Sequence, residues 1–184
     1  MAIPNEQYRK ILLSGDISDA TVAIVIKTIM EINKDDDEKE ADYRDWGRKP
    51  IKLFINSFGG SVYDGLALVD VIKQSKTPVH TISIGSSMSM GLWIYLVGHK
   101  RFVGENSTLM YHDIACGISD KTEGIRIELV ELLRLQNKLG ELITSTSLVK
   151  QEQLMDYITR KAEWYIPAEE AIKLKLADGY YKED

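Results

Sequence analysis

Residues 85–91 read Gly-Ser-Ser-Met-Ser-Met-Gly, and the runs on either side leave this chain few ways to fold. Before them, Val79-His-Thr-Ile-Ser-Ile84 carries the β-branched residues of a buried strand. After them, Leu92-Trp-Ile-Tyr-Leu-Val97 is apolar on every side, as suits a helix sunk in a core. The polar residues between therefore sit where a helix begins, and N–H groups there have no intrahelical acceptor and point at whatever binds. A serine on such a bend can be a nucleophile, and the N–H after it can face an oxyanion. Helix capping by Ser86 and Ser87 is the simpler role for the same stretch.

Strands and helices alternate along the rest of the chain. Tyr8 to Gly15 reads as a strand ending at a glycine turn. Ala20 to Ile32 follows as a helix, with Val22, Val25, Ile26, Ile29 and Met30 at helical spacing. Residues 34–49 hold Asp35-Asp-Asp-Glu-Lys-Glu40 and almost no aliphatics. They form a charged insertion, a solvated loop or helix extension to which no chemistry is assigned. A second strand, Pro50 to Ile55, leads into Asn56-Ser-Phe-Gly-Gly-Ser-Val62, where paired glycines allow backbone shapes other residues avoid and let a ligand approach. Then come a helix over Tyr63 to Ser75, the strand from Val79 to Ile84, and short strands at Arg101 to Val103 and Thr108 to His112. The longest helical pattern, Thr122 to Ser145, precedes a more polar helix (Leu148 to Lys161) and a last one from Pro167 to about Leu176. This order predicts one α/β domain over residues 1–184 with largely parallel strands. The broad leucine stripe from Leu129 to Leu142 suggests a partner surface, a copy of the chain itself being one candidate.

The composition excludes several classes. A net charge of −5, with no basic stripe carrying interleaved aromatics, argues against nucleic acid as a partner. The apolar run from Ile82 to Val97 is broken by Gly and Ser before it reaches membrane-spanning length. The residues from Met1 to Gln7 show no basic-then-apolar leader pattern. The single cysteine, Cys116, excludes an internal disulfide framework and fits a reducing compartment. A cytoplasmic protein is the resulting expectation.

A serine nucleophile needs a base, and the chain has 3 histidines. His80 lies roughly 30 Å from Ser89 along an extended strand. His99 lies about 15 Å beyond it along the intervening helix. His112 ends a strand, and in a parallel sheet the strand ends gather at one edge, where ligands bind. It is the best candidate by elimination. His112, Asp113 and Cys116 could also be taken for metal ligands, but three without a fourth do not make a structural zinc site, and no metal or cofactor is expected.

Taken together, Asn56-Ser-Phe-Gly-Gly-Ser-Val62, Ile84-Gly-Ser-Ser-Met-Ser-Met-Gly91, Leu109-Met-Tyr-His112 and Pro167-Ala-Glu-Glu-Ala171 resemble the Clp protease proteolytic subunit family in order and spacing. The likeness runs from about Ile11 to Asp178 and is nearer to divergent members, phage-encoded ones included, than to the housekeeping subunit. It implies a crotonase-like spiral of β-β-α units with a projecting handle at about residues 117–146. It also implies a homo-oligomer, a heptameric ring that can stack in pairs through the handles around a chamber in which peptides or unfolded proteins are cut. By the resemblance the nucleophile is Ser89, the base His112, and the oxyanion donors are the backbone N–H groups of Gly60 and Met90. Gly59, Ser61 and Val62 would line the substrate groove.

This chain departs from the family pattern at several points. Alignment on residues 168–171 puts Glu163 where the family has the aspartate of its triad, with Asp113 and Asp156 as lesser substitutes. Phe58 replaces a proline that would pre-set φ in the glycine turn. The segment that forms the axial pore loops is reduced, and Lys52 stands where members that dock an unfoldase carry an aromatic residue. Both features speak against a Clp-type ATPase partner. A scaffold subunit with an impaired site is one alternative reading. A crotonase-type acyl-thioester enzyme is a more distant one, since it needs no Ser-His pair at these positions.

Overall fold

The computed structural model describes residues 6–115, 117 and 119–183, with only the backbone of Glu6 and Gln7. A 3-10 turn, Glu6–Arg9, opens into strand β1, Lys10–Ser14. Helix α1 follows over Asp19–Asp42, capped by Ser18, whose hydroxyl accepts from the Thr21 N–H. The charged stretch is thus helical as far as Asp42, so the insertion is in large part the helix extension and not a loop. One of its carboxylates, Asp36, is fully buried.

Strand β2, Ile51–Ser57, helix α2, Val62–Gln74, strand β3, Val79–Met88, and helix α3, Met90–Leu96, complete the first half. β3 runs four residues past the expected end at Ile84. Ser86 and Ser87 are therefore strand residues and not helix caps: the Ser87 hydroxyl lies 2.8 Å from that of Ser83 and the Ser86 hydroxyl 3.1 Å from Asn56 Oδ1. Every residue of α3 is buried, as its unbroken apolar run predicts. A Cβ on Gly65 would overlap the Met90 side chain, so glycine lets α2 and α3 approach closely.

Strands β4 (Lys100–Val103) and β5 (Thr108–Tyr111) share one edge of β3. β4 pairs with residues 80–83 and β5 with residues 86–88. Helices α4 (Thr122–Thr146) and α5 (Gln151–Thr159) follow, then β6 (Trp164–Pro167), α6 (Ala168–Lys173) and β7 (Gly179–Tyr180). The sheet is parallel throughout except where β6 runs antiparallel to β5. The expected α/β class with mostly parallel strands holds, while β6 and β7 carry too little periodic signal in four and two residues to be read beforehand.

The core joins β1, β2 and β3 to α1, α2, α3 and the C-terminal half of α4. The first half of α4 is different: Ile125, Ile127, Leu129, Val130 and Leu133 are all exposed, while Leu135, Leu139 and Ile143 are buried. Among the described residues no helix is long and apolar enough to cross a membrane.

Candidate active site

Four parallel strands, β1, β2, β3 and β5, deliver their C-terminal ends to one edge of the sheet, the side on which ligands bind in such folds. The turn after β3 carries Ser89 with φ 51° and ψ −122°, a left-handed conformation that costs a non-glycine residue about 1–3 kcal/mol. Two features over-determine it. The Ser89 N–H donates to the Met110 carbonyl at 3.0 Å, and the Ser89 carbonyl accepts from the Leu92 N–H at 2.9 Å. The turn projects the half-buried hydroxyl off the sheet edge, and that hydroxyl makes no capping bond to α3. Met90 follows as the first residue of α3, so its N–H is one of the helix's orphan donors.

Gly59 and Gly60 follow β2 with φ values of 110° and 146°. A Cβ on Gly59 would stand 2.7 Å from Ser89 Cβ and 3.1 Å from its hydroxyl, so glycine brings this loop against Ser89. The loop is stapled from the other side by Ile17. The Ile17 N–H donates to the Gly59 carbonyl at 2.9 Å, and the Ser61 N–H donates to the Ile17 carbonyl at 2.8 Å. A Cβ on Gly60 would collide with that same Ile17 carbonyl. Between the two staples, the Gly60 N–H has no acceptor among the described residues. Gly60 and Met90 thus each bring a backbone donor without an intramolecular acceptor to the cavity that Ser89 lines.

Ser89, Gly60, Val62, Met90 and His112 line a single cavity of about 160 Å³. Its floor is apolar, built from Leu92, Trp93, Met110, Tyr111, Ile114 and Leu139. Gly59 and Ser61 flank the loop without lining this cavity. Tyr111 is fully buried, and burial, helped by the Asp113 charge, pushes its phenol up to about 12 against the opposing effect of a hydrogen bond with Gln136.

The His112 side is less complete. His112 lies one residue past the end of β5, half-buried, and no hydrogen bond joins it to Ser89 among the described residues. In the β5–β6 register Met110 faces Tyr165 and Tyr111 faces Trp164, where the pairing ends; His112 and Glu163 are the next residues beyond that last pair. Glu163 is exposed, and its carboxylate accepts from the Tyr165 hydroxyl. That bond, with smaller contributions from burial and from the Glu163 charge, raises the Tyr165 pKa. Asp113 is exposed, and Asp156 pairs with Arg160.

The other histidines are accounted for elsewhere. His99 Nδ1 accepts from the Val79 N–H at 3.1 Å. His80 packs edge-on against Phe102, and burial, followed by nearby cations, lowers its pKa. No cluster of metal-ligating side chains occurs among the described residues, and Cys116 lies outside them. Sequence reasoning placed Leu139 in the leucine stripe and gave no site role to it, to Ile17 or to Gln136. All three act across long sequence separations, and no local pattern marks such a role.

The sequence model of the Clp protease family matches residues 5–184. A stretch of 130 residues is 34% identical to the ATP-dependent Clp protease proteolytic subunit of Deinococcus radiodurans, covering 70% of this chain and 63% of that protein. The family match over nearly the full length, on a parallel α/β sheet with glycine-rich turns at its C-terminal edge, makes this chain a member of the Clp protease family.

Proposed function

We propose that this chain is a serine endopeptidase in which Ser89 attacks a peptide carbonyl, His112 takes its proton and returns it to the leaving amine, and water releases the acyl product. The observation that carries this reading is the Ser89 turn. A serine held at φ 51°, making no capping bond and lining one largely apolar cavity with Gly60, Met90 and His112, supports a role in acyl transfer. The two donors would hold the oxyanion, and losing one such donor typically raises the barrier by about 2.7–4 kcal/mol. Glu163 would orient and charge-stabilise the imidazolium after letting go of Tyr165. Gly59, Ser61 and Val62 would hold the substrate backbone beside the nucleophile.

We further propose that the chain works as a ring of copies, and the exposed apolar residues of the first half of α4 support this. The Deinococcus relative is named as ATP-dependent. For this chain, Lys52, at the position where members that dock an unfoldase carry an aromatic residue, favours a ring without a dedicated ATPase, acting on peptides or unfolded proteins in the cytoplasm.

Intact mass after a fluorophosphonate probe, on the wild type and on Ser89→Ala, tests the chemistry. One adduct on the wild type and none on the variant is expected. A folded, assembled wild type that takes no probe would replace this reading with a ring scaffold, which the Glu163–Tyr165 pairing favours. Mass photometry showing only monomer at micromolar concentration would overturn the ring.

A further inference from the structure

We propose that Gln136 is a positioning residue for His112, the α4 side chain that holds the base segment at the cavity; this rests on the peptidase reading above. Gln136 is 7% exposed and lies on the face of α4 that also buries Leu135, Leu139 and Ile143. A primary amide at such a position is unfavourable unless its polar atoms are matched. Both ends are matched, and the partners are informative. Oε1 accepts from the Ile114 N–H at 2.9 Å, and Nε2 donates to the Tyr111 phenol oxygen at 2.7 Å. These partners lie one residue before and two residues after His112.

His112 is beyond the last paired residue of β5, so the ladder fixes its backbone from one side only. The Gln136 amide fixes it from the other, closing the Tyr111–Ile114 segment onto α4. Leu139, one turn further along the same helix, lines the cavity itself. The helix that carries the exposed apolar stripe is therefore tied, through one amide, to the position of the proposed base. A misplacement of about 1 Å in such a group can lower turnover on the order of 10²-fold.

The test is the rate of fluorophosphonate labelling against pH for wild type, Gln136→Leu, Gln136→Glu, His112→Ala and His112→Ala with Gln136→Leu, at matched folded fraction and ring size. Hydrogen exchange at the Ile114 amide is followed alongside. Gln136→Leu should label about 10²-fold more slowly, the lower range for a general base. It should also flatten the pH dependence of the labelling rate and exchange the Ile114 amide faster. Gln136→Glu keeps an acceptor for Ile114 and for the Tyr111 hydroxyl, so it should restore the rate. Its carboxylate favours the imidazolium, so the acid limb should move to higher pH.

In the His112→Ala background, Gln136→Leu should change nothing. If Gln136→Leu labels like wild type, slows the His112→Ala protein further, or slows labelling only in proportion to unfolding with the pH profile intact, the inference is overturned. A wild type that takes no probe sinks the peptidase reading and this one with it, whereas a labelled wild type with an indifferent Gln136→Leu sinks this one alone. Should Gln136→Leu not fold, Tyr111→Phe removes the Nε2 bond only and should give a smaller loss with the same flattening of the pH profile; an unflattened profile there overturns the proposal.

Discussion

The two sides of the cavity are built differently. On the side of Ser89, the proposed nucleophile, a long, mostly buried strand, a serine at positive φ, a fully buried helix and a glycine loop stapled to Ile17 restrain the backbone from several directions. On the His112 side, the proposed base hangs one residue past a four-residue strand, the proposed orienting carboxylate of Glu163 is turned to Tyr165, and an α4 amide supplies the missing restraint. Preorganised donors are worth most when they cannot relax, because no reorganisation is then needed as charge develops. An imidazole that must approach, take a proton and deliver it elsewhere tolerates a looser mounting that assembly or substrate can tighten.

The most severe way to break this contrast is to remove either centre. Ser89→Ala and His112→Ala should each lower peptide turnover by about 10⁶-fold, and the double variant should lose no more than either single one, since the two act as a unit. Additive losses in that cycle would mean that the rigid and the loose side do not work on the same bond. Gly60→Ala should come next, at about 10²–10³ in kcat, the size of one lost oxyanion donor. At φ 146° and against the Ile17 carbonyl, a methyl group can only be accommodated by moving the loop. Unchanged turnover in Gly60→Ala would remove Gly60 from the oxyanion hole.

The same contrast decides how much could be read from the sequence. Gly59, Gly60, Ser89 and Met90 stand beside strand and helix patterns that fix their surroundings within a few residues, and the fold puts them on one cavity or its rim. The φ of Ser89 was not legible, because nothing in its side chain demands a left-handed backbone; the Met110 carbonyl and Gly59 impose it from outside. Glu163 was found through its offset from residues 168–171, and β6, which begins one residue after it and pairs with β5 up to Tyr111, has no periodic signal of its own. Gln136 sits in a helix whose leucines dominate the pattern, and only tertiary packing shows that its amide faces inward. In the acidic stretch, six charges among residues 35–40 read as solvated, yet α1 turns Asp36 fully into the protein.

Glu163 is where the comparison can be sharpened. A triad carboxylate that is buried and fixed on its histidine contributes about 10⁴ in kcat. Because Glu163 is exposed and bonded to Tyr165, Glu163→Ala should lower turnover less than that, on the order of 10–100-fold, but far more than Asp113→Ala. Tyr165→Phe, which frees the carboxylate, should leave turnover equal or higher. Equal effects of Glu163→Ala and Asp113→Ala in steady-state peptide assays would return the third position to an unassigned residue.

The smallest effect on chemistry should come from the opposite edge of the sheet. Arg9, just before β1, donates to Asp36 Oδ1 and Oδ2 at 2.5 and 3.0 Å and to the Lys49 carbonyl at 2.8 Å. Thr77, just before β3, donates to the same carboxylate at 2.6 Å, and the Trp46 indole N–H reaches it at 3.3 Å. These groups tie α1 to the N-terminal ends of the strands, away from the edge that carries Ser89. Burial alone would raise the Asp36 pKa, but the hydrogen bonds from Arg9 and Thr77, with the Arg9 charge, outweigh it and hold it below the ordinary carboxylate value. A carboxylate lowered on folding adds stability above its unfolded pKa, and that stability is lost as pH falls through the folded value. Asp36→Ala also strands a buried guanidinium, so it should lower the unfolding free energy by about 3–5 kcal/mol at pH 7. The gap to wild type should narrow below about pH 4, where the carboxylate begins to protonate in the unfolded chain and then in the folded one. Urea denaturation at the two pH values measures this directly, while the probe-labelling rate of the folded variant should match wild type. A variant that is stable yet labels slowly would show that the two sheet edges are coupled, and the separation between a working edge and a stabilising one would have to be given up.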